Sequence, residues 1–157
     1  MLIIIEGMDK VGKTTVAEHF RQQKKFEYVH MTAPAKWHTR ESYFAEMLHI
    51  IALTAGKNVV IDRSWCGELV WPFVFNRDWL LSEKDCEVLT ETARTLHSRG
   101  VQMFYMNDPD EEGHLARIKK FKEPSYDFSL ARELYSKLLN NGFTSLTFNE
   151  AKEFGWT

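Results

Sequence analysis

Cysteine is scarce in this sequence. Only Cys66 and Cys86 occur in 157 residues, and their spacing fits neither a metal-ligand motif nor a disulfide scaffold. Reduced thiols in a cytosol are the simpler reading. Proline is rare as well, and no stretch rich in Pro, Gly or Ser marks a linker, a repeat or a low-complexity segment. An excess of one charge is also missing. The net charge of −2 argues against a dedicated binder of duplex nucleic acid, though it permits a local basic patch. No apolar run approaches the ~18 residues of a membrane span, and Glu6 interrupts the first apolar run too early for a signal-peptide core. The six histidines show no metal-ligand pattern, and His19 and His114 read as helix-surface residues. What remains is the expectation of a soluble, cytoplasmic protein. With 44% hydrophobic and 27% charged residues, the chain is globular rather than disordered, and its length suits one domain over residues 1–157.

What is present is concentrated near the start. Gly7, Met8, Asp9, Lys10, Val11, Gly12, Lys13, Thr14 and Thr15 fit the phosphate-binding loop GxxxxGK[ST]. The apolar run Leu2 to Ile5 before it reads as a buried parallel strand, and Thr14 to Lys25 after it reads as a helix. The chemistry needs that order. Glycines let backbone N–H groups curl around phosphate oxygens, and the helix N-terminus adds partial positive charge. Lys13 can reach the β- and γ-phosphates of a nucleoside triphosphate, and the Thr14 hydroxyl can ligate Mg²⁺.

Four further apolar runs, Tyr28–Met31, Val59–Ile61, Val101–Met106 and Ser145–Phe148, alternate with helical patterns. The alternation predicts an α/β fold, a five-stranded parallel sheet between two helix layers in a P-loop α/β/α sandwich. Thr39 to Ala55 reads as one helix and Phe128 to Leu139 as the last. Ser82 with Asp85 resembles a capping box, with Gly100 where that helix should stop, and Asp108-Pro109 reads as a helix start. Asp62 and Arg63 follow the third apolar run, at the edge where open α/β sheets place their ligands. Asp62 can hold Mg²⁺ through its water shell and Arg63 can grip a phosphate. The alternative is that Asp62 caps a helix and Arg63 pairs with a surface acid.

The loop with Asp9 inside it, the Asp62-Arg63 pair and a later basic helix resemble the thymidylate kinase group of P-loop nucleoside monophosphate kinases. The stretch from Asp62 to Trp71 is similar to phage-type members, in which a Ser-Glu or Gly-Glu pair follows, matched here by Gly67-Glu68. The resemblance implies ATP and Mg²⁺ as cofactors and a deoxynucleoside monophosphate as acceptor. It implies Asp9 near the acceptor sugar, Arg63 on the acceptor phosphate, Arg40 beside it, and Lys10 where some relatives carry a catalytic arginine. Pro34, Trp37 and Glu68 become candidate acceptor contacts, and Phe148 to Ala151 part of the adenine pocket. A lid is implied near residues 114–127, with Arg117 as its catalytic cation and Lys120 second. The alternative for that basic stretch, which includes Lys119 and Lys122, is a solvated helix face. Where the family has Arg-Glu-Pro-Gly, this chain has Thr32-Ala33-Pro34-Ala35, and a helix with an Arg-Trp pair used in base recognition is absent.

Deoxynucleoside kinases are the close rival, echoed by Ala33-Pro34-Ala35-Lys36-Trp37 and Asp62-Arg63-Ser64. Phosphorylating a hydroxyl calls for a carboxylate to accept its proton, whereas a monophosphate oxygen is already ionised. The rival's glutamate would fall at Ala33, which favours a monophosphate acceptor. A non-catalytic nucleotide switch would need a guanine-reading motif such as Asn-Lys-x-Asp, and none occurs. Among the aromatics Trp65, Trp71, Phe73, Phe75 and Trp79, core packing and stacking on an acceptor base are both open, as they are for Tyr43 and Phe44. The base accepted is open, and so is a homodimer.

Overall fold

The computed structural model describes residues 1–121 and 126–153. At its centre lies β1 (Leu2–Glu6), all five residues of which are buried. Four consecutive aliphatic side chains point alternately to both faces of a strand, so both faces must be covered, and a parallel sheet between helices covers them. Each such side chain contributes about 1.5–3 kcal/mol on burial. β2 (Glu27–His30), β3 (Val59–Asp62), β4 (Val101–Asn107) and β5 (Thr144–Thr147) complete the sheet in the order β2-β3-β1-β4-β5, every pair parallel. All five expected strands are present, each end within one residue of its expected place.

The flanking helices are α1 (Lys13–Lys24), α2 (Arg40–Thr54), α3 (Trp71–Val74), α4 (Glu83–Leu96), α5 (Glu111–Lys120), α6 (Phe128–Lys137) and α7 (Phe148–Glu153). This is the α/β/α arrangement expected. α1 packs on β3, β2 and β1, and α2 packs on α4. Ser82 and Asp85 form the capping box foreseen at α4: each side chain accepts the other's backbone N–H, at 3.1 and 3.0 Å. Thr39 and Ser42 cap α2 in the same way. No helix among the described residues is long and apolar enough to cross a membrane.

Three local expectations need correction. α5 begins at Glu111 rather than at Pro109, because Asp110 is the capping residue and accepts the Gly113 N–H at 3.0 Å. α4 ends at Leu96, and a tight turn in which Gly100 N–H donates to His97 O leads into β4. Phe148 opens α7 instead of closing β5. Thr147 and Glu150 bond each other's backbone N–H groups at 2.6 and 3.2 Å, a capping box legible as Thr-x-x-Glu.

The register fixes the site. Ile5 pairs with Asp62 and Glu6 with Tyr105, so the phosphate loop, the end of β3 and the end of β4 lie along one edge of the sheet.

Candidate active site

The loop after β1 folds as its glycines require. Gly7 has φ 147° and a Cβ there would lie 2.6 Å from Met106 O; Gly12 has φ 97° and a Cβ would lie 2.5 Å from Phe148 Cδ2. Either substitution would push the loop off β4 or off α7. Lys13 is buried, its ammonium donates to Met8 O, and burial with the neighbouring Arg63 lowers it to about 8. Thr14 Oγ1 donates to Asp62 Oδ2 at 2.9 Å, and Tyr28 OH donates to the same oxygen at 3.1 Å. His30 Nδ1 lies 3.3 Å from it. The second oxygen, Asp62 Oδ1, is buried without a hydrogen-bond partner among the described residues. An orphaned carboxylate oxygen beside a hydroxyl is a hard oxygen donor set, which suits Mg²⁺. Among the described residues no three His, Cys, Asp or Glu side chains cluster as a metal cage. Mg²⁺ commonly takes one or two protein oxygens and completes its shell with water and substrate phosphates.

Beside the loop is a cleft of about 550 Å³ lined by Lys10, Gly12, Thr15, Asp108, Arg117 and Phe148, among others. Arg117 forms an ion pair with Asp108 and places Nε 3.4 Å from Lys10 O. Lys10 sits in the left-handed region at φ 58°, its ammonium 4.7 Å above the Phe121 ring. Lys120 stacks on the same ring at 5.7 Å. Of the two basic residues considered for the lid, Arg117 is the one that lines the cleft. Lys122, Glu123, Pro124 and Ser125 lie outside the described residues.

On the other side of the loop is a second cleft, walled by Pro34, Tyr43, Arg63, Glu68, Trp71 and Arg77 with Glu6 at its base. Arg63 pairs with Asp9, and its Nε is buried without a partner among the described residues. Its backbone is left-handed at φ 67°, uncommon for a side chain with a Cβ and a conformation that gathers at functional sites. Glu68 is buried and held by both terminal nitrogens of Arg77, Nη1 at 3.2 Å, with the Leu80 N–H at 3.4 Å.

Other expected contacts lie elsewhere. Arg40 grips Asp85 at the start of α4, Nε to Oδ2 at 2.9 Å, and does not line the second cleft. The pairing joins the capped ends of α2 and α4. Trp37 is 73% exposed and stacks on His38 at 3.8 Å. Trp65 is fully buried core, while Phe73, Phe75 and Trp79 remain exposed. Of that aromatic group Trp71 lines the second cleft, as does buried Tyr43, whereas Phe44 packs against the core. Both cysteines are free and buried, and burial pushes the Cys66 thiol up to about 12.

Four residues escape a reading of the sequence. Glu6, which reads only as the charge ending an apolar run, is fully buried and accepts from Ser64. Burial raises its carboxyl above the usual range. Arg77 lies in a loop without a motif. Tyr135 on α6 directs its hydroxyl to Glu6 at 3.3 Å. His114, expected on a helix surface, is buried and ties α5 to the loop by donating Nε2–H to Asp9 O. Of these only Glu6 carried a signal, an acid in register with a strand buried on both faces.

No protein-family model matches the chain, and no curated protein matches it. Solved structures do. The YorR protein from Bacillus subtilis, in complex with phosphorylated GDP, superposes with a TM-score of 0.78 and 23% identity, covering 98% of this chain and 92% of that one. Deoxyadenosine kinase from M. mycoides with bound dATP gives a TM-score of 0.55 and 12% identity over 98% and 94% of the two chains. A sugar kinase from Janibacter sp. HTCC2649 gives 0.55 and 14% over 97% and 88%. At these identities the likeness speaks for the fold alone, a parallel α/β/α sandwich that these proteins share.

Proposed function

We propose that this chain is an ATP- and Mg²⁺-dependent kinase, thymidylate kinase-like, that phosphorylates a deoxynucleoside 5′-monophosphate to the diphosphate. The observation that carries this reading is Arg63. Its guanidinium, joined to the loop through Asp9, walls the second cleft and keeps a buried N–H without a partner among the described residues. Such a group suits an anionic acceptor, because bringing two anions together calls for fixed positive charge between them.

In this reading the loop amides and Lys13 bind the donor phosphates. Thr14 and Asp62 would hold Mg²⁺, which would supply charge neutralisation for the donor phosphates. An acceptor phosphate oxygen attacks the γ-phosphorus as the bond to the departing ADP breaks, and Arg63 spans the two reacting groups. Lys10 and Arg117 stand on the donor side, and Arg117 would exchange Asp108 for the transferring phosphoryl oxygens as the lid closes.

A nucleoside acceptor remains the second reading, because the cleft has carboxylates even though position 33 is alanine. Both are engaged. Glu6 accepts two bonds from Ser64 and one from Tyr135, and Glu68 is gripped by Arg77. Neither is free to take a proton from a hydroxyl, which supports the monophosphate reading. A panel of deoxynucleosides and deoxynucleoside monophosphates with ATP and Mg²⁺, scored for ADP and phosphorylated product, tests it. Turnover is expected with monophosphates; turnover confined to nucleosides would overturn the reading, and ADP release indifferent to any acceptor would point to a nucleotide switch.

A further inference from the structure

The turn after β3 is held from β1 at three successive points. Arg63 N–H donates to Ile5 O at 2.9 Å. Ser64 N–H and Ser64 Oγ both donate to Glu6 Oε1, at 2.6 and 2.7 Å. Ser64 Oγ in turn accepts the Cys66 N–H at 3.2 Å, starting the 3₁₀ turn Trp65–Leu69. The residue inside this clamp is Arg63, in a left-handed conformation that costs of order 1–3 kcal/mol. Such a backbone persists only where its surroundings over-determine it.

We propose that Glu6 is a positioning residue for phosphoryl transfer: its buried carboxylate, through Ser64, fixes the left-handed turn that aims Arg63 into the acceptor cleft. This rests on the reading of Arg63 as the acceptor's phosphate contact. Asp9 alone does not suffice for that task, since it bonds the guanidinium itself and an acceptor phosphate would compete with it. Glu6 bonds the backbone side of the turn and leaves the guanidinium free to act. The arrangement also explains a carboxylate in a wholly buried position, where an unpaired charge would be costly. Two donors from Ser64 and the Tyr135 hydroxyl satisfy it, and the cations Lys13 and Arg63 are near enough to act on it electrostatically. The strand that leads into the donor loop thereby sets the conformation of the acceptor arginine.

The experiment compares wild type with Glu6→Gln, Glu6→Ala and Ser64→Ala. The readouts are acceptor KM and kcat, affinity for a non-hydrolysable ATP analogue, and the Arg63 backbone in crystal structures. Losing the Ser64 hydroxyl removes one of its two bonds to Glu6 and the bond it accepts from the Cys66 N–H, so Ser64→Ala should lower kcat/KM for the acceptor by roughly 5- to 20-fold, with donor affinity within about twofold. Glu6→Gln keeps an acceptor oxygen and should retain a positive Arg63 φ with a smaller loss. Glu6→Ala should lose both the conformation and at least about 100-fold in kcat/KM. If Glu6→Ala does not fold, Ser64→Ala and Glu6→Gln decide. Unchanged acceptor kinetics in folded variants, or equal loss of donor and acceptor binding, would overturn the proposal. If wild type turns over only nucleosides or ignores acceptors, the functional reading fails separately, and the Arg63 φ in Glu6→Ala still shows whether Glu6 holds the turn.

Discussion

The two sides of this site are built differently. The side proposed for the donor is built around one continuous segment, Gly7 to Thr15, whose amides, ammonium and hydroxyl follow each other through a loop and into α1, with Asp108, Arg117 and Phe148 lining the cleft beside it. The side proposed for the acceptor is assembled from the end of β1, the turn after β3, the start of α2 and the loop before α4, joined by side-chain bonds such as Ser64 to Glu6 and Arg77 to Glu68. A continuous site depends on local backbone geometry, which glycine spacing records. An assembled site depends on packing, which no short pattern records. Changes on the donor side should therefore act on one substrate and one step. Changes on the acceptor side should mix binding, catalysis and stability.

The largest effect expected is at Lys13. Lys13→Met should lower kcat by about 10²- to 10³-fold or more, through loss of one charged phosphate contact. Stability should move the other way. With its folded pKa lowered from 10.5 to about 8, Lys13 binds fewer protons in the folded state than unfolded between those values. Its contribution to stability thus rises with pH across that window and is unfavourable below it. At pH 7 the methionine variant should melt at the same temperature or higher. A variant that loses activity only because it unfolds would erase the contrast between the two sides.

Next in size is Arg63. Arg63→Ala should raise acceptor KM and lower kcat together, for a combined loss of about 100-fold in kcat/KM, with donor KM nearly unchanged. Arg63→Lys should recover part of the loss in charge but not the planar fork. If donor affinity alone changes, Arg63 serves the donor and the division drawn here is misplaced.

The pair Glu68–Arg77 separates binding from stability on the acceptor side. Arg77→Ala leaves the buried Glu68 carboxylate only the Leu80 N–H, which should cost less than the ~3–5 kcal/mol of breaking a fully buried pair because the Arg77 side chain is 30% exposed. Combining Arg77→Met with Glu68→Gln should return most of that stability without restoring acceptor KM, which is expected to rise about 10-fold. Full recovery of both in the double variant would reduce the pair to a structural brace. Thermal unfolding and acceptor titrations on wild type, Arg77→Met, Glu68→Gln and the double variant read the outcome.

The same division governs what could be read from sequence. The strands were legible because Leu2 to Ile5 and the runs after it have no reason to be apolar on both faces except in a covered parallel sheet. Asp62 and Arg63 were legible because strand ends in such a sheet converge. Arg40 was not, since its partner Asp85 lies 45 residues away and only the packing of α2 on α4 brings them together. Glu6 shows the limit most clearly. An acid at the end of a buried strand signals that something must satisfy it, but the partners, Ser64 and Tyr135, come from 58 and 129 residues further on.

His114 gives the smallest effect and tests the donor side from outside its continuous segment. Burial lowers its folded pKa below the ordinary 6.5, with the hydrogen bond to Asp9 O and the Asp108 charge opposing and Arg117 and Arg132 reinforcing that shift. The folded state then binds fewer protons than the unfolded chain below pH 6.5, so stability from a neutral His114 is full above that value and falls as pH drops through the folded pKa. His97 is lowered by burial as well, so the informative quantity is the difference between wild type and His114→Phe. The variant should show a flatter loss of stability from pH 6.5 to 5. It also removes the bond from α5 to Asp9 O, and donor KM should rise a few-fold while acceptor KM holds. An acceptor effect instead would mean that Asp9 transmits the change to Arg63, making the loop carbonyl at residue 9 the joint between the two sides.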